Sequence, residues 1–280
     1  MKNGIGVIYS LDKLLCDGPE VLLSLGLDCV QLVTSNPKLY SKENAVKVRE
    51  MLAGKLRISS FWAGWTGPQV WDFQSGPQTL GLVPVAYRAM RLAELERGAD
   101  FTKMLGVTEM ATHVGFIPEN PSTEAYHDVR VAVQHIADYC RDLGIHFNFE
   151  TGQETPVALM RLITDLKNDY VGINMDPANL IMYGKANPID AASIFGKRIR
   201  GMHIKDADYT TDYYSLGPER VVGTGSVNFP KLIRFVLALG YEGDFYIERE
   251  ISGQQQLVDI RNTIDFLRNI LHELSGEGEG

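Results

Sequence analysis

The sequence alternates eight times between a short strand-like run and a helix-like stretch, and this alternation restricts its fold more than any other feature. The strand-like runs are rich in Val, Ile and aromatic residues, and they cover residues 4–9, 28–34, 56–62, 107–113, 145–150, 171–176, 199–204 and 243–248. Helical periodicity fills residues 19–25, 42–53, 82–105, 123–143, 155–167, 188–196, 229–239 and 256–274. Such alternation predicts parallel strands joined by crossover helices, and eight repeats are the number that closes a (β/α)8 barrel.

Glycines mark where several of these helices should end. Gly26, Gly106, Gly144 and Gly240 each follow an apolar periodic stretch and precede a strand-like run, as helix C-terminal caps do. An open doubly wound sheet is the alternative fold, but this sequence lacks the glycine-rich turn that such a sheet uses to hold a dinucleotide after its first strand. We predict an α/β protein with a single (β/α)8 TIM barrel domain at residues 1–274 and a disordered tail at 275–280.

The composition of the chain indicates which classes of binding partner to expect. The net charge is -8 and Lys and Arg form no cluster, so nucleic acid is not an expected partner. No apolar run reaches the roughly 18–20 residues that span a bilayer, and no export signal is evident. Cys16, Cys29 and Cys140 are scattered through apolar segments, as reduced core thiols are. We expect a cytoplasmic protein without a membrane partner that binds a small polar molecule.

An acidic or imidazole side chain stands at the end of each of four successive strand-like runs. Glu150 follows IHFNF, Asp176 follows VGINM, His203 follows IRGM and Glu248 follows GDFYI. The carboxyl ends of parallel barrel strands meet at one rim, so these side chains should converge. Three carboxylates and one imidazole form a hard site, for which we expect one divalent metal ion, Mn²⁺ first, with Mg²⁺, Co²⁺ or Zn²⁺ as alternatives. Each residue by itself is equally compatible with a helix cap or a salt bridge.

Other side chains near the same rim are candidates for substrate contacts. His113 ends the fourth strand-like run. Trp62 and Trp65 introduce the long stretch after the third run, where aromatic rings either pack against sugars or plug the barrel rim. Glu154 either reaches a substrate hydroxyl or caps the helix that starts near Pro156.

Four segments of the chain together resemble the superfamily of xylose-isomerase-like barrels, which contains sugar isomerases and epimerases. These segments are FETGQE at 149–154, NMDPANLIMYG at 174–184, MHIKDAD at 202–208 and YIERE at 246–250. The superfamily includes ketose 3-epimerases, hydroxypyruvate isomerases, inosose dehydratases and apurinic endonucleases. The resemblance covers essentially the whole chain, and it implies a homo-oligomer, either a dimer or a tetramer.

The resemblance also suggests roles for individual residues. Ketose epimerases of this type hold their metal with a Glu, an Asp, a His and a second Glu on strands five to eight, and these correspond to Glu150, Asp176, His203 and Glu248. It implies that Lys205 or Asp206 faces the substrate, with a surface ion pair as the alternative. Asn179 stands where many ketose epimerases contact the substrate with a His, so the ligand geometry there should differ.

A divalent ion beside two glutamates predicts proton transfer next to a carbonyl group. With Glu150 on one face of a ketose and Glu248 on the other, one carboxylate removes a proton to give an enediolate and the other returns a proton. The leading hypothesis is a metal-dependent epimerase or isomerase of a sugar or sugar phosphate. A keto-sugar or inosose dehydratase or lyase would use the same metal site. A non-catalytic sugar-binding barrel is the alternative of a different class.

Overall fold

A computed structural model describes residues 3–276, within which eight parallel strands close into a barrel. We number them one to eight in chain order: Ile5–Ser10, Cys29–Thr34, Arg57–Ala63, Glu109–Thr112, His146–Glu150, Val171–Met175, Ile199–Ile204 and Asp244–Ile247. Each strand pairs with the strands before and after it, and strand one closes the barrel by pairing with strand eight. The predicted (β/α)8 barrel is confirmed.

Helices surround the barrel and connect its strands. The longer ones are Lys42–Leu52, Val85–Leu105, Glu124–Leu143, Pro156–Leu166, Pro188–Phe195, Phe229–Ala238 and Gln254–Gly276. The short helical segments are Leu11–Asp17, Glu20–Leu23, Pro37–Leu39, Gly76–Thr79, Pro177–Met182 and Gly196–Arg198. The last helix includes the first two residues of the predicted tail, and residues 277–280 lie outside the described residues. Across residues 3–276 no helix combines the length and the apolar character that crossing a bilayer requires.

The glycines predicted as helix caps adopt the left-handed backbone that few other residues tolerate. Gly106 has φ 78° and Gly144 has φ 75°, and the N–H of each donates to carbonyl groups in the last turn of its helix. Gly26 and Gly240 also have positive φ, at 64° and 86°. Gly106 and Gly144 are the C-terminal caps of their helices, whereas Gly26 and Gly240 follow the caps Ser24 and Leu239 and return the chain to the next strand.

A polar cluster fills the amino-terminal end of the barrel. The carboxylate of Glu109 accepts hydrogen bonds from Arg200 Nε at 2.9 Å and from Asn148 Nδ2 at 2.8 Å. Gly172 on strand six makes this possible, since a Cβ there would lie 2.4 Å from both Arg200 Cδ and Asn148 Oδ1. The cluster joins strands four, five and seven at the end of the barrel opposite the predicted metal site.

One thiol lies where the sequence analysis did not expect it. Cys29 and Cys140 are free and buried, whereas Cys16 is exposed. Cys16 belongs to the short helix Leu11–Asp17, which buries Leu11 and Leu14 and turns Cys16 towards solvent. The expectation of a third buried thiol was wrong because the helical period of this segment was not recognised.

We predict that Glu109→Gln lowers the free energy of unfolding at pH 7 by about 2 kcal/mol, because it removes a charged acceptor from a partly buried ion pair. Burial works to raise the pKa of Glu109, but Arg200 and His146 outweigh it and hold the pKa below its usual range. A carboxyl with a lowered pKa contributes its stability above its unfolded pKa of about 4.3 and loses it as the pH falls through the folded value.

Urea unfolding at pH 7 and near pH 4 measures this effect. The difference between wild type and Glu109→Gln should shrink on acidification. Glu50 is an exposed carboxylate on the helix Lys42–Leu52, and Glu50→Gln is the matched control, with an expected change within about 0.5 kcal/mol. Equal destabilisation by Glu109→Gln at both pH values would contradict the ion-pair account.

Candidate metal centre and active site

The four predicted ligand residues meet at the carboxyl end of the barrel. Glu150 is the last residue of strand five, Asp176 follows strand six, His203 lies near the end of strand seven and Glu248 follows strand eight. Each offers one ligand atom, and these four atoms all lie within 4.8 Å of one another. Because the strands are parallel, their carboxyl ends meet at one rim. Glu150, for example, pairs directly with Asn174 on strand six, two residues before Asp176.

Glu150 is buried and surrounded by donors. Trp62 Nε1 donates a hydrogen bond to its Oε2, while His113 Nε2 lies 3.1 Å and Asn179 Nδ2 lies 3.4 Å from its Oε1. Burial works to raise the pKa of Glu150, but His113 and His203 outweigh it and hold the pKa well below its usual range. Glu150 is therefore an ionised carboxylate with one oxygen anchored by an indole.

The two carboxylate oxygens of Asp176 have different roles, since one caps a helix and the other faces the site. Its Oδ1 accepts from the backbone N–H of Asn179 at 2.9 Å and so caps the helix Pro177–Met182. Its Oδ2 lies 3.3 Å from Lys205 Nζ and 3.6 Å from His203 Nδ1. Burial works to raise the pKa of Asp176, but Lys205 and His203 lower it overall. The carboxylate stays ionised at zero solvent exposure.

The ring of His203 is held by two residues inside the barrel. Its Nε2 lies 2.8 Å from Gln31 Oε1 and 2.7 Å from Asn174 Nδ2, so that Nδ1 is directed to the site. Nδ1 is 3.3 Å from Glu150 Oε1 and 3.2 Å from Glu248 Oε2. Burial works to lower the pKa of His203, but the surrounding carboxylates raise it well above its usual value. The site thus favours positive charge at Nδ1.

The hydrogen bonding of two atoms in the cluster indicates whether these residues fit a metal ion. Asp176 Oδ2 and His203 Nδ1 are both buried and lack a hydrogen-bond partner among the described residues. Their contacts are the longer ion pairs described above, at 3.2–3.6 Å. A cation bound between the four ligand residues would satisfy both atoms at once, and an oxygen-rich donor set suits a hard divalent ion. The residues fit a single divalent metal ion.

Glu248 is the most exposed of the four residues of the centre, and it lies next to the buried Lys205. Glu248 Oε2 lies 3.4 Å from Lys205 Nζ, and burial raises the pKa of Glu248 despite this nearby ammonium group. Lys205 is 1% exposed, and its Nζ donates to Glu250 Oε1 at 2.7 Å. The site thus contains two carboxyl groups with opposite pKa shifts: the pKa of Glu150 is lowered and the pKa of Glu248 is raised.

A cavity of about 370 Å³ opens onto these groups. Four residues predicted to contact substrate line it, namely Trp62, His113, Asn179 and Lys205. Their contact with substrate stays a prediction, but the structure places their side chains beside the ligand residues.

The structure places two other predicted contact residues outside the cavity wall. Trp65 is 1% exposed and packs behind Trp62, with ring centroids 5.9 Å apart. Trp71, in the same loop, lines the cavity instead. Glu154 is buried outside the lining, and burial raises its pKa to about 7. It does not cap the following helix, because Thr155 occupies the cap position and accepts from the backbone N–H of Ala158.

Asp206 orders a loop and does not line the cavity. Its carboxylate accepts hydrogen bonds at 2.9–3.0 Å from backbone N–H groups of Ala207, Gly223, Gly225 and Val227. These four donors occupy the acceptor positions of both oxygens. We therefore assign Asp206 to the structure of the loop after strand seven, in place of the substrate contact that the resemblance implied.

Sequence reasoning missed several residues of the site. The signal for Gln31 was a polar side chain inside the apolar run CVQLV, where an inward position demands a polar partner. Glu250 stands two residues after Glu248 and so shares its side of an extended chain. Tyr183 and Trp71 lie in irregular or short helical segments, where no periodicity indicates which side chains face the cavity.

Comparison with known proteins identifies relatives with the same barrel. The family described as Xylose isomerase-like TIM barrel matches residues 19–270. The crystal structure of a xylose isomerase domain protein from Planctomyces limnophilus is 30% identical, with a TM-score of 0.89 over 97% of this chain and 98% of that chain. A D-psicose 3-epimerase crystallised in the presence of D-fructose is 17% identical, with a TM-score of 0.70 over 96% of this chain and 99% of that one.

A curated relative adds a second comparison. An inosose dehydratase from Lacticaseibacillus casei is 23% identical over 143 residues, which is 45% of this chain and 48% of that protein. The chain thus matches about half the length of this relative.

We predict that His203→Ala abolishes binding of a divalent ion. Mn²⁺ at about one hundred times its dissociation constant should stabilise the wild type by about 2.7 kcal/mol and raise its Tm by about 5 °C. The variant should show no such shift, because it loses the imidazole ligand. His135 is an exposed histidine paired with Glu96, and His135→Ala should keep the full shift. Thermal unfolding with and without Mn²⁺, together with metal content, measures both, and an unchanged shift in His203→Ala would refute the assignment.

We also predict that Gln31→Met weakens metal affinity by about 10- to 100-fold, because one of the two side chains that hold the His203 ring is lost while the volume is kept. Titration with Mn²⁺ measures the affinity. Equal affinities for Gln31→Met and wild type would show that Gln31 does not orient the ligand.

Proposed function

The chain belongs to the xylose isomerase-like TIM barrel family, and from this premise we propose that it is a divalent-metal-dependent epimerase or isomerase of a sugar or sugar phosphate. The observation that supports this most is the pair of carboxylates of buried Glu150 and partly buried Glu248, which face one cavity and contact the same His203 Nδ1 at 3.3 and 3.2 Å. The D-psicose 3-epimerase has the same barrel.

Glu150, Asp176, His203 and Glu248 would hold the metal ion. When bound, the ion supplies positive charge that stabilises negative charge developing on the substrate's carbonyl and hydroxyl oxygens. We choose Mn²⁺ as the first ion to test, because three carboxylates and one imidazole make a mostly oxygen donor set.

The chain's own groups can carry out the proton transfers. One carboxylate removes the proton from the carbon beside the carbonyl group, which gives an enediolate, and the second carboxylate returns a proton. Return to the opposite face of the same carbon is epimerisation, and return to the neighbouring carbon is aldose–ketose isomerisation. The lowered pKa keeps Glu150 ionised and so able to accept a proton, whereas the raised pKa of Glu248 suits a group that carries a proton.

The neighbouring side chains hold the substrate and the carboxylates in place. Trp62 fixes Glu150 through its indole N–H and so limits which Glu150 oxygen faces the substrate. His113 and Asn179 line the cavity beside that oxygen and are positioned to contact substrate oxygens. Lys205 and Glu250 form the opposite wall as a hydrogen-bonded pair. These residues supply donors and acceptors around the reacting carbon, as polyol recognition requires.

A dehydratase or lyase acting on a keto-sugar or inosose is the second candidate. The curated relative that favours it is an inosose dehydratase. The chemistry begins with the same proton removal and differs in the next step, where a hydroxyl group leaves from the adjacent carbon and a proton donor assists its departure. A homo-oligomer and a cytoplasmic location remain predictions as well.

We expect the wild type with Mn²⁺ to incorporate solvent deuterium into the carbon-bound positions of at least one sugar in a broad panel of ketoses and keto-sugars. Glu150→Gln and Glu248→Gln should each slow this exchange at least about 100-fold, because each lacks a proton-transfer group. Glu109→Gln, altered at the far end of the barrel, should exchange at the wild-type rate. Mass spectrometry of the recovered sugar measures the exchange.

The same experiment separates the alternatives. Exchange with conserved sugar mass apart from deuterium indicates an epimerase or isomerase. Loss of water with a new conjugated chromophore indicates the dehydratase. Sugar binding that survives both glutamate substitutions, with no exchange and no product in the wild type, would replace the enzyme proposal with a sugar-binding barrel.

A further inference from the structure

We propose that the substrate carries a second ring, as a disaccharide or aryl glycoside does, and that this ring binds on a ledge beside the metal cavity. The ledge is a depression of about 300 Å³ lined by Phe73, Thr210, Thr211, Asp212 and Tyr213. The inference rests on the proposed function, because it assigns the reacting ring to the cavity at the metal centre.

The ledge adjoins the cavity, and side chains of the two contact one another. Phe73 of the ledge packs edge-on against Tyr183 of the cavity wall, with ring centroids 5.9 Å apart. Trp71, two residues before Phe73, lines the cavity, as does Leu216, which follows the other side of the ledge in the chain. Both rim loops therefore contribute to the cavity and to the ledge, so a ligand longer than one ring would pass from one to the other.

The side chains of the ledge suit a carbohydrate or aryl ring. Tyr213 is 93% exposed, so its ring is accessible to a ligand. Phe73 supplies a second aromatic surface, while Thr211 and Asp212 add hydroxyl and carboxylate groups. Aromatic faces next to polar side chains bind the apolar faces and the hydroxyls of sugar rings.

Hydrogen bonds hold this loop in one shape. Thr210 Oγ1 donates to the carbonyl of Ser215 at 2.6 Å, and Ser215 Oγ donates to Asp212 Oδ2 at 2.8 Å. The backbone N–H of Gly217 donates to the carbonyl of Met182 at 3.0 Å, which attaches the loop to the segment that precedes Tyr183. A loop ordered before binding loses less conformational entropy when a ring docks on it.

A second ring restricts the chemistry. A glycosidic bond locks the reacting sugar in its ring form, so its anomeric carbon cannot serve as the carbonyl group. The carbonyl would be a ketone within the ring, produced by a preceding oxidation of a ring hydroxyl. Epimerisation or elimination beside that ketone fits such a substrate, whereas aldose–ketose isomerisation at the anomeric carbon does not.

The test compares sugars with and without the second ring. Dissociation constants of the Mn²⁺-loaded full chain are measured for a panel of monosaccharides and their ring-ketone derivatives, each free, as its methyl glycoside and as its phenyl glycoside, with one disaccharide. We expect the phenyl glycoside of the preferred sugar to bind roughly five- to tenfold more tightly than its methyl glycoside. Tyr213→Ala should remove this gain and leave the affinity for the free sugar unchanged.

Tyr214 provides the matched control, because it is 69% exposed in the same loop but does not line the ledge. Tyr214→Ala should keep the gain. Equal affinities for methyl and phenyl glycosides, or an equal loss for all sugars in Tyr213→Ala, would overturn the proposal. A lower sedimentation coefficient for Tyr213→Ala, with sugar affinities unchanged, would also overturn it and assign the ledge to contacts between copies of the chain.

Failure of the ledge proposal can be distinguished from failure of the proposed function. Deuterium exchange into free sugars, without any preference for a second ring, would leave the proton-transfer function standing and reject the ledge. Absence of both binding and exchange across the whole panel would reject both.

Discussion

Mutual repulsion among buried carboxylates is the constraint on which the rest of the site depends. Two like unit charges 4 Å apart repel by about 4 kcal/mol at an effective dielectric constant of 20. Ligand atoms of Glu150, Asp176 and Glu248 lie within 4.8 Å of one another, so this arrangement requires compensating positive charge. Lys205 supplies one charge from a fully buried position, in contact with Asp176 and Glu248. A divalent ion would supply the remainder, and its absence would leave the acidic groups dependent on bound protons.

The surrounding protein fixes each ligand through the atom that does not face the metal position. Trp62 anchors Glu150 Oε2, the backbone of Asn179 anchors Asp176 Oδ1, and Gln31 anchors His203 Nε2. Such supporting bonds hold the second atom of each ligand ready for a cation. Glu248 differs, because its contacts with His203 and Lys205 are both made through Oε2. The least anchored ligand is thus the one whose raised pKa suits it to carry a proton.

Repeating local patterns made the barrel and the convergence of four acidic or imidazole side chains at its rim predictable from the sequence. The alternation of runs and the capping glycines are short-range signals, and the rim position of Glu150 or Asp176 follows directly from strand direction. Side chains in irregular loops have no such signal. The sequence could not distinguish Trp65, which is buried behind Trp62, from Trp71, which lines the cavity.

Tertiary contacts decided the remaining details. Asp206 and Lys205 are adjacent in the chain, yet Lys205 enters the site on the same side as His203, two residues earlier, while Asp206 binds backbone N–H groups of the following loop. Arg91 orders the loop after strand three in a similar way, but as a donor. Its guanidinium donates to three backbone carbonyls and stacks on Trp65. One buried cation and one buried anion therefore shape the two loops through backbone groups, independently of the loop-tip side chains. The tips can vary without disturbing the metal ligands, so the strand ends determine the reaction and the loop tips determine which substrates reach it.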